Sequence, residues 1–183
     1  MANAIIVCGM NGAGKSTLGR ALAQKLGYHF IDIEDIYFPK TDPSYLYSTP
    51  RTEEEVEAKL MEEISGCEAF VLAAVRGNYG ERLRESFDLA VYVDVPKEIR
   101  LERVKKRSYD KFGERAMPGG DLYERERRFF EMCANRDEHI AENWVKTLNC
   151  PVIRVDGLRT VEENVVIIIE AIKNSKIFLS RTR

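Results

Sequence analysis

The sequence predicts an α/β fold in which a five-stranded parallel sheet is covered by helices on both faces. Three observations carry the prediction. Five short apolar runs alternate with stretches whose apolar residues recur at helical spacing, and parallel strands require such crossover helices. The first run ends in a glycine-rich turn and the second in a cluster of acids. At 183 residues, the chain is long enough for one domain with a substantial core, and 1–183 is expected to form that single domain.

In order along the chain, Ala4 to Cys8 is the first strand, and Leu18, Ala21, Leu22 and Leu26 then take up helical spacing until Gly27 closes the helix. Tyr28 to Ile33 is the second strand. From residue 36 to residue 50 three prolines and Tyr37, Tyr45 and Tyr47 occur with no steady period, which predicts a short helical turn and then a loop. Thr52 with Glu55 forms a capping box for a helix with Val56, Leu60 and Ile64 on its apolar face, ended by Gly66. Ala69 to Val75 is the third strand. A short helix near Leu83 precedes the fourth strand, Leu89 to Val95, and Pro96 opens a helix that runs to about Arg107. Residues 108–121 are polar and aperiodic and predict a mobile lid. A long helix is expected from about Leu122 to Leu148, with Phe129, Cys133, Ile140 and Trp144 along one side. Pro151 to Val155 is the last strand. The final helix is capped by Thr160 and Glu163, and its apolar content predicts burial on more than one face. The tail from residue 173 to 183 has too little pattern to assign.

The chain is 44% hydrophobic and 32% charged with a net charge of -2, a balance typical of soluble globular proteins that gives no electrostatic reason to expect nucleic acid as a partner. Cys8, Cys67, Cys133 and Cys150 form no CxxC pair, so neither zinc nor a redox dithiol is indicated. No leader or membrane-spanning run is evident, and a soluble cytoplasmic protein, monomer or homodimer, is expected.

Gly9-Met10-Asn11-Gly12-Ala13-Gly14-Lys15-Ser16 matches the phosphate-binding pattern GxxxxGK[ST], placed between a strand and a helix as its physics requires. The backbone N–H groups of Gly9, Asn11, Gly12, Ala13 and Gly14 and the helix N-terminus cradle phosphates, and Lys15 bridges the β and γ groups. Ser16 is placed for Mg²⁺ and Thr17 for the α-phosphate. These residues predict a three-layer P-loop NTPase fold that binds Mg-ATP.

In such a sheet, ligands gather beyond the carboxyl ends of the strands, where Asp32, Glu34, Asp35 and Arg76 lie. Asp32 is a candidate for a magnesium water or for taking a proton from an acceptor hydroxyl, with Asp35 as the alternative. Arg51 and Arg76 are candidates for gripping a phosphate or carboxylate, and Tyr37, Phe38, Tyr45 and Tyr47 for an aromatic wall. The acceptor segment is therefore about 34–66. Asp94, ending the fourth strand, is expected to hold the turn into the next helix. Arg100, Arg103 and Arg107 share one helical face, and Arg125, Arg128 and Arg136 another, so an arginine-rich lid flanks residues 108–121. The alternative to a lid is a solvated charged helix, on which Glu102, Glu124 and Glu126 would pair with neighbouring arginines.

P-loop, acidic strand end, acceptor helix, arginine-rooted lid and the terminal Arg154-Val155-Asp156-Gly157 together resemble the nucleoside monophosphate kinase superfamily, which includes adenylate and shikimate kinases. The resemblance implies lid arginines on the phosphates and adenine near the loop after the last strand, roles that fall to Arg103, Arg107, Arg136 and Gly157. Asp32 with an acid two residues on is similar to the shikimate kinase arrangement. After the third strand, Val75-Arg76-Gly77-Asn78-Tyr79-Gly80 replaces both the Asp-Gly-Phe-Pro-Arg of adenylate kinases and the three glycines of shikimate kinases. That strand also lacks an acid for the metal, leaving Ser16 with Asp32 as outer partner. The function expected is phosphoryl transfer from Mg-ATP to a small acceptor, either a nucleoside monophosphate or a hydroxyl-bearing metabolite. The alternative is an ATP-binding regulatory module or an ATPase without an acceptor.

Overall fold

Every residue of strand β1 (Ala4–Cys8) is buried, because β1 lies at the centre of the sheet. The computed structural model describes residues 3–180 of the chain. β1 pairs in parallel with β3 (Phe70–Ala74) on one side and β4 (Leu89–Asp94) on the other. β2 (His29–Asp32) and β5 (Val152–Asp156) form the two edges, giving the order β2-β3-β1-β4-β5 with every pairing parallel.

Alternation along the strands divides the apolar residues between two cores. Ala4, Ile6 and Cys8 face Leu60 of α3 (Glu53–Ser65), Leu83 of α4 (Glu81–Ser86) and Ala141 and Val145 of α7 (Ile140–Val145). Ile5 and Val7 face Leu18 and Leu22 of α1 (Lys15–Leu26) and Val165 and Ile168 of α8 (Val161–Ser180). Each fully buried Ile or Leu contributes roughly 1.5–3 kcal/mol, so both layers are firmly seated on the sheet.

The remaining elements surround the carboxyl ends of the strands. Asp32 caps the short α2 (Ile33–Tyr37), its Oδ1 accepting the Glu34 N–H at 3.1 Å. α5 (Lys97–Phe112) leads through a 3-10 turn at Gly113–Ala116 into α6 (Tyr123–Asn135). Both expected capping boxes form, at Thr52 with Glu55 and at Thr160 with Glu163.

Several expectations are corrected. α5 continues past Arg107 to Phe112, so the first part of the expected lid loop is helical. Ser108 and Phe112 extend the face begun by Val104 at i, i+4 and i+8, and the polar Ser108 on that face hid the continuation. The long helix expected over residues 122–148 breaks between α6 and α7. Arg136 turns to extended backbone, and Asp137 accepts the His139 N–H at 3.0 Å in a local turn that competes with the helix. α8 buries one face only, since Val166 is 54% exposed, and it extends to Ser180 through part of the unassigned tail. Residues 1–2 and 181–183 lie outside the described residues. Asp94 does not hold the turn into α5 through its side chain, which instead pairs with Arg154 of β5 at 3.0 Å. All four cysteines are free, Cys8 and Cys133 buried and the other two half-buried. No helix among the described residues is long and apolar enough to cross a membrane.

Candidate active site

The turn between β1 and α1 is shaped by backbone that only glycine accommodates. Gly12 sits at φ 81°, and a Cβ there would stand 2.3 Å from the Arg100 carbonyl oxygen. Gly9, at φ 145°, would place a Cβ 2.6 Å from the Val93 carbonyl oxygen. The first is blocked by α5 and the second by β4, so tertiary packing as well as turn conformation requires glycine. Ala13 N–H donates to the Met10 carbonyl at 3.1 Å, closing the turn. Lys15 Nζ reaches back to the same carbonyl at 3.0 Å. Burial lowers the Lys15 pKa from 10.5 to about 8, opposed by the nearby negative charge of Asp32 and reinforced by Arg107. A cation held at such a cost is stabilised once an anion arrives beside it.

In front of this turn lies a cavity of about 430 Å³. Asn11, Gly12, Lys15 and Ser16 form one end, and Asp32 and Glu34 one side. Tyr37, Phe38, Tyr45, Tyr47, Tyr79, Phe112 and Phe129 supply aromatic walls, joined by Val75, Val104 and Met132. Arg107, Ser108, Lys111, Glu126 and Arg136 complete the side contributed by α5 and by α6 with the segment after it. Neighbouring rings contact at their edges, for example Phe38 and Tyr47 with centroids 5.1 Å apart and Tyr45 and Tyr47 at 5.6 Å.

The structure sorts the residues singled out from the sequence. Asp32 and Glu34 reach the cavity, with Glu34 facing Arg107 at 3.6 Å. Asp35 turns away and pairs with Lys40 on the exposed side of α2. Arg51 donates to the Ile36 carbonyl, which ties the start of α3 to the end of α2. Neither Arg51 nor Arg76 lines the cavity. Arg136 donates to Asn11 Oδ1 at 2.9 Å and so joins the segment after α6 to the phosphate turn. Arg103 sits outside the cavity, both Nη atoms donating at 3.2 Å to the Gly157 carbonyl in the turn after β5. Ser16 lines the cavity, while Thr17 is exposed in the first turn of α1.

The two arginine rows are not the uniform faces expected. Arg100 is 4% exposed, with Nε donating to the Val95 carbonyl at 3.0 Å, so it braces the phosphate turn from behind. Arg125 stacks 5.2 Å from the Tyr45 ring centroid and Arg128 folds onto the Glu124 carbonyl. Arg115, within the segment 108–121, is held by Asp121 at 2.7 Å.

One cavity residue fits neither the lid nor its solvated alternative. Glu126 is 3% exposed, accepting from Tyr45 Oη at 2.7 Å and Ser108 Oγ at 2.6 Å. The signal was present in the spacing. Leu122, Glu126, Phe129 and Cys133 form one i, i+4, i+7, i+11 stripe, and an acid on an apolar stripe marks a buried carboxylate.

Comparison with known proteins places this geometry in context. A family model described as an AAA domain matches residues 5–121, from β1 through the phosphate turn to the end of the segment after α5. Over 170 residues the chain is 29% identical to the uncharacterized protein YqaC of Bacillus subtilis, covering 88% of this chain and 92% of that one. It is 31% identical over 109 residues to a shikimate kinase of Microcystis aeruginosa, covering 56% of this chain and 57% of that enzyme. The crystal structure of a gluconokinase from Sinorhizobium meliloti superposes with a TM-score of 0.57 over 98% of both chains at 19% identity, a likeness of fold.

Proposed function

The chain belongs to the AAA domain family, and from that premise we propose that it is an ATP-dependent kinase that phosphorylates a hydroxyl group on a small molecule. The observation that carries this reading is a single cavity in which the phosphate turn and the acids Asp32 and Glu34 face the same space. A donor phosphate on Lys15 and an acceptor beside Asp32 would then be neighbours, and proximity of that kind is the main catalytic requirement of phosphoryl transfer.

A hydroxyl acceptor is favoured over a phosphate acceptor. The two arginines suited to gripping a phosphate, Arg51 and Arg76, lie outside the cavity, while carboxylates line its acceptor side. In the proposed reaction Asp32 takes the proton of the acceptor hydroxyl as its oxygen bonds to the γ-phosphorus. The bond from the γ-phosphorus to the bridging oxygen breaks, and ADP leaves with Lys15 on its β-phosphate. Arg107 and Arg136 are near enough to the turn to hold equatorial oxygens, and Arg107 would exchange Glu34 for phosphate as it does so. Asp35, paired with Lys40 on the exposed side of α2, is the weaker candidate for the base.

The residues present fit Mg-ATP. Gly12 lets the turn lie against the Arg100 carbonyl with its backbone on the cavity, and Lys15 and Ser16 line the same cavity. Among the described residues no three His, Cys, Asp or Glu side chains stand close enough to hold a metal alone. Magnesium would therefore be held by Ser16, phosphate oxygens and water, with Asp32 behind them, and it would neutralise charge on the β and γ oxygens. Arg103 and Gly157 bound the place proposed for the adenine.

Incubation with Mg-ATP and a panel of alcohols, with ADP release as the readout, tests the proposal. Acceptor-dependent ADP formation is expected. A slow rate that no acceptor changes would sink the kinase reading in favour of an ATPase.

A further inference from the structure

Resting on that kinase reading, we infer that the acceptor is of the nucleoside class, a planar ring bearing a hydrogen-bond donor and joined to the alcohol that is phosphorylated, and that Glu126 reads the donor. Four observations converge on this class.

The acceptor end of the cavity is predominantly aromatic. Tyr37, Phe38, Tyr47 and Phe112 contact one another edge to face, and Phe129 and Met132 also line the space. Such walls reward a flat ring and penalise a polyhydroxylated chain, whose hydroxyls would lose water without gaining partners.

A buried carboxylate stands among these rings. Among the described residues no ion pair reaches Glu126, and its two oxygens accept one hydrogen bond each, from Tyr45 and Ser108. An ionised carboxylate offers about four acceptor sites and no donor, so the remaining sites call for N–H groups on the ligand. An amino group or ring N–H of a base supplies them.

The cations on this side are already engaged. Arg107 faces Glu34, and Lys111 donates to Tyr47 Oη at 2.6 Å with its ammonium 4.2 Å from that ring's centroid. An acceptor that carries a carboxylate would have to displace Glu34 from Arg107 or compete with the Tyr47 ring for Lys111. Finally, the cavity has an alcohol end and a ring end. Asp32 and Ser16 lie beside the phosphate turn, Glu126 comes from α6, and the volume of about 430 Å³ falls in the range of about 300–1,000 Å³ usual for small-molecule sites.

The test compares adenosine, cytidine and guanosine with shikimate and gluconate as acceptors for the full chain with Mg-ATP. Within the nucleosides, adenosine is compared with purine riboside, which lacks the amino donor. Nucleosides are expected to be the better substrates, and for at least one base, removal of its donor should lower kcat/KM by about tenfold or more, because a buried acceptor then goes unpaired. In Glu126→Gln the same donor preference should shrink several-fold while KM for ATP and the thermal midpoint stay near wild type. Tyr45→Phe removes a partner of Glu126 without altering the ligand, and should retain the preference. Better turnover of shikimate or gluconate than of every nucleoside overturns the inference while leaving the kinase reading intact. An unchanged donor preference in Glu126→Gln overturns the role of that residue. If no acceptor stimulates ADP release the kinase reading itself falls, and calorimetry that then finds no nucleoside binding overturns the inference as well.

Discussion

At its β1 end the cavity is walled by backbone, and at its α5 and α6 end by side chains. Gly9 and Gly12 are pressed against the carbonyls of Val93 and Arg100, so the phosphate turn has one shape and the rest of the protein is packed to it. The opposite end is assembled from Tyr45 in a loop, Ser108 on α5 and Glu126 on α6, joined by two hydrogen bonds between side chains. The first end suits a ligand that is always the same, a polyphosphate. The second suits a ligand that differs between relatives, because one side chain can change there without disturbing the sheet.

If that contrast is right, damage at the backbone end should be the most severe. Gly12→Val introduces a β-branched residue at φ 81° with its Cβ 2.3 Å from the Arg100 carbonyl. The expected outcome is loss of measurable ATP binding by calorimetry, with the thermal midpoint also lowered. Retention of wild-type ATP affinity would show that the turn is adaptable and break the comparison.

Next in size is Asp32→Asn. Asparagine caps helices as well as aspartate does, so α2 should persist, while the proposed general base is lost. The turnover number should fall about 10²–10⁴-fold with ATP affinity nearly unchanged. A parallel loss of ATP affinity would instead place Asp32 with the phosphate turn.

A smaller effect sharpens the electrostatics of the backbone end. In the free protein, burial lowers the Lys15 pKa to about 8, and polyphosphate beside it should raise that value. Below pH 8 the lysine is charged in both states and no proton moves. Above pH 8 the free lysine is neutral and the bound one charged, so ATP binding takes up a proton and weakens as pH rises. From pH 7 to pH 9 the loss should be about tenfold. Calorimetry at pH 9 in buffers of different ionisation enthalpy measures the uptake, and pH-independent binding without uptake would contradict the assignment.

The same contrast explains what could be read from the sequence. The phosphate turn was legible because backbone geometry demands glycine at fixed spacing, and each strand because burial on both faces leaves a short apolar run. The edge strands were read to within a residue or two despite their partial exposure. The acceptor end was harder, since it depends on three segments meeting in space. Asp32, Glu34 and Arg107 were identified by position, whereas Glu126 was singled out only as an arginine partner in the alternative to a lid and Ser108 as the start of a loop. Arg51 and Arg76 had the right chemistry and the right neighbourhood, yet neither lines the cavity, Arg51 being bonded to the Ile36 carbonyl instead.

The smallest expected effect is also the one that separates two acids of the same strand end. Asp35 lies one residue beyond Glu34, but its carboxylate pairs with Lys40 on the exposed face of α2. An exposed pair of this kind contributes about 0–1 kcal/mol to stability. Asp35→Asn should therefore leave turnover within about twofold of wild type and shift the thermal midpoint by only a few degrees. Because Asp32→Asn makes the same chemical change three residues earlier, the pair of variants is matched for charge and differs in direction. If the two lose activity equally, the loss belongs to the net charge of the strand end and not to a carboxylate aimed at the acceptor hydroxyl.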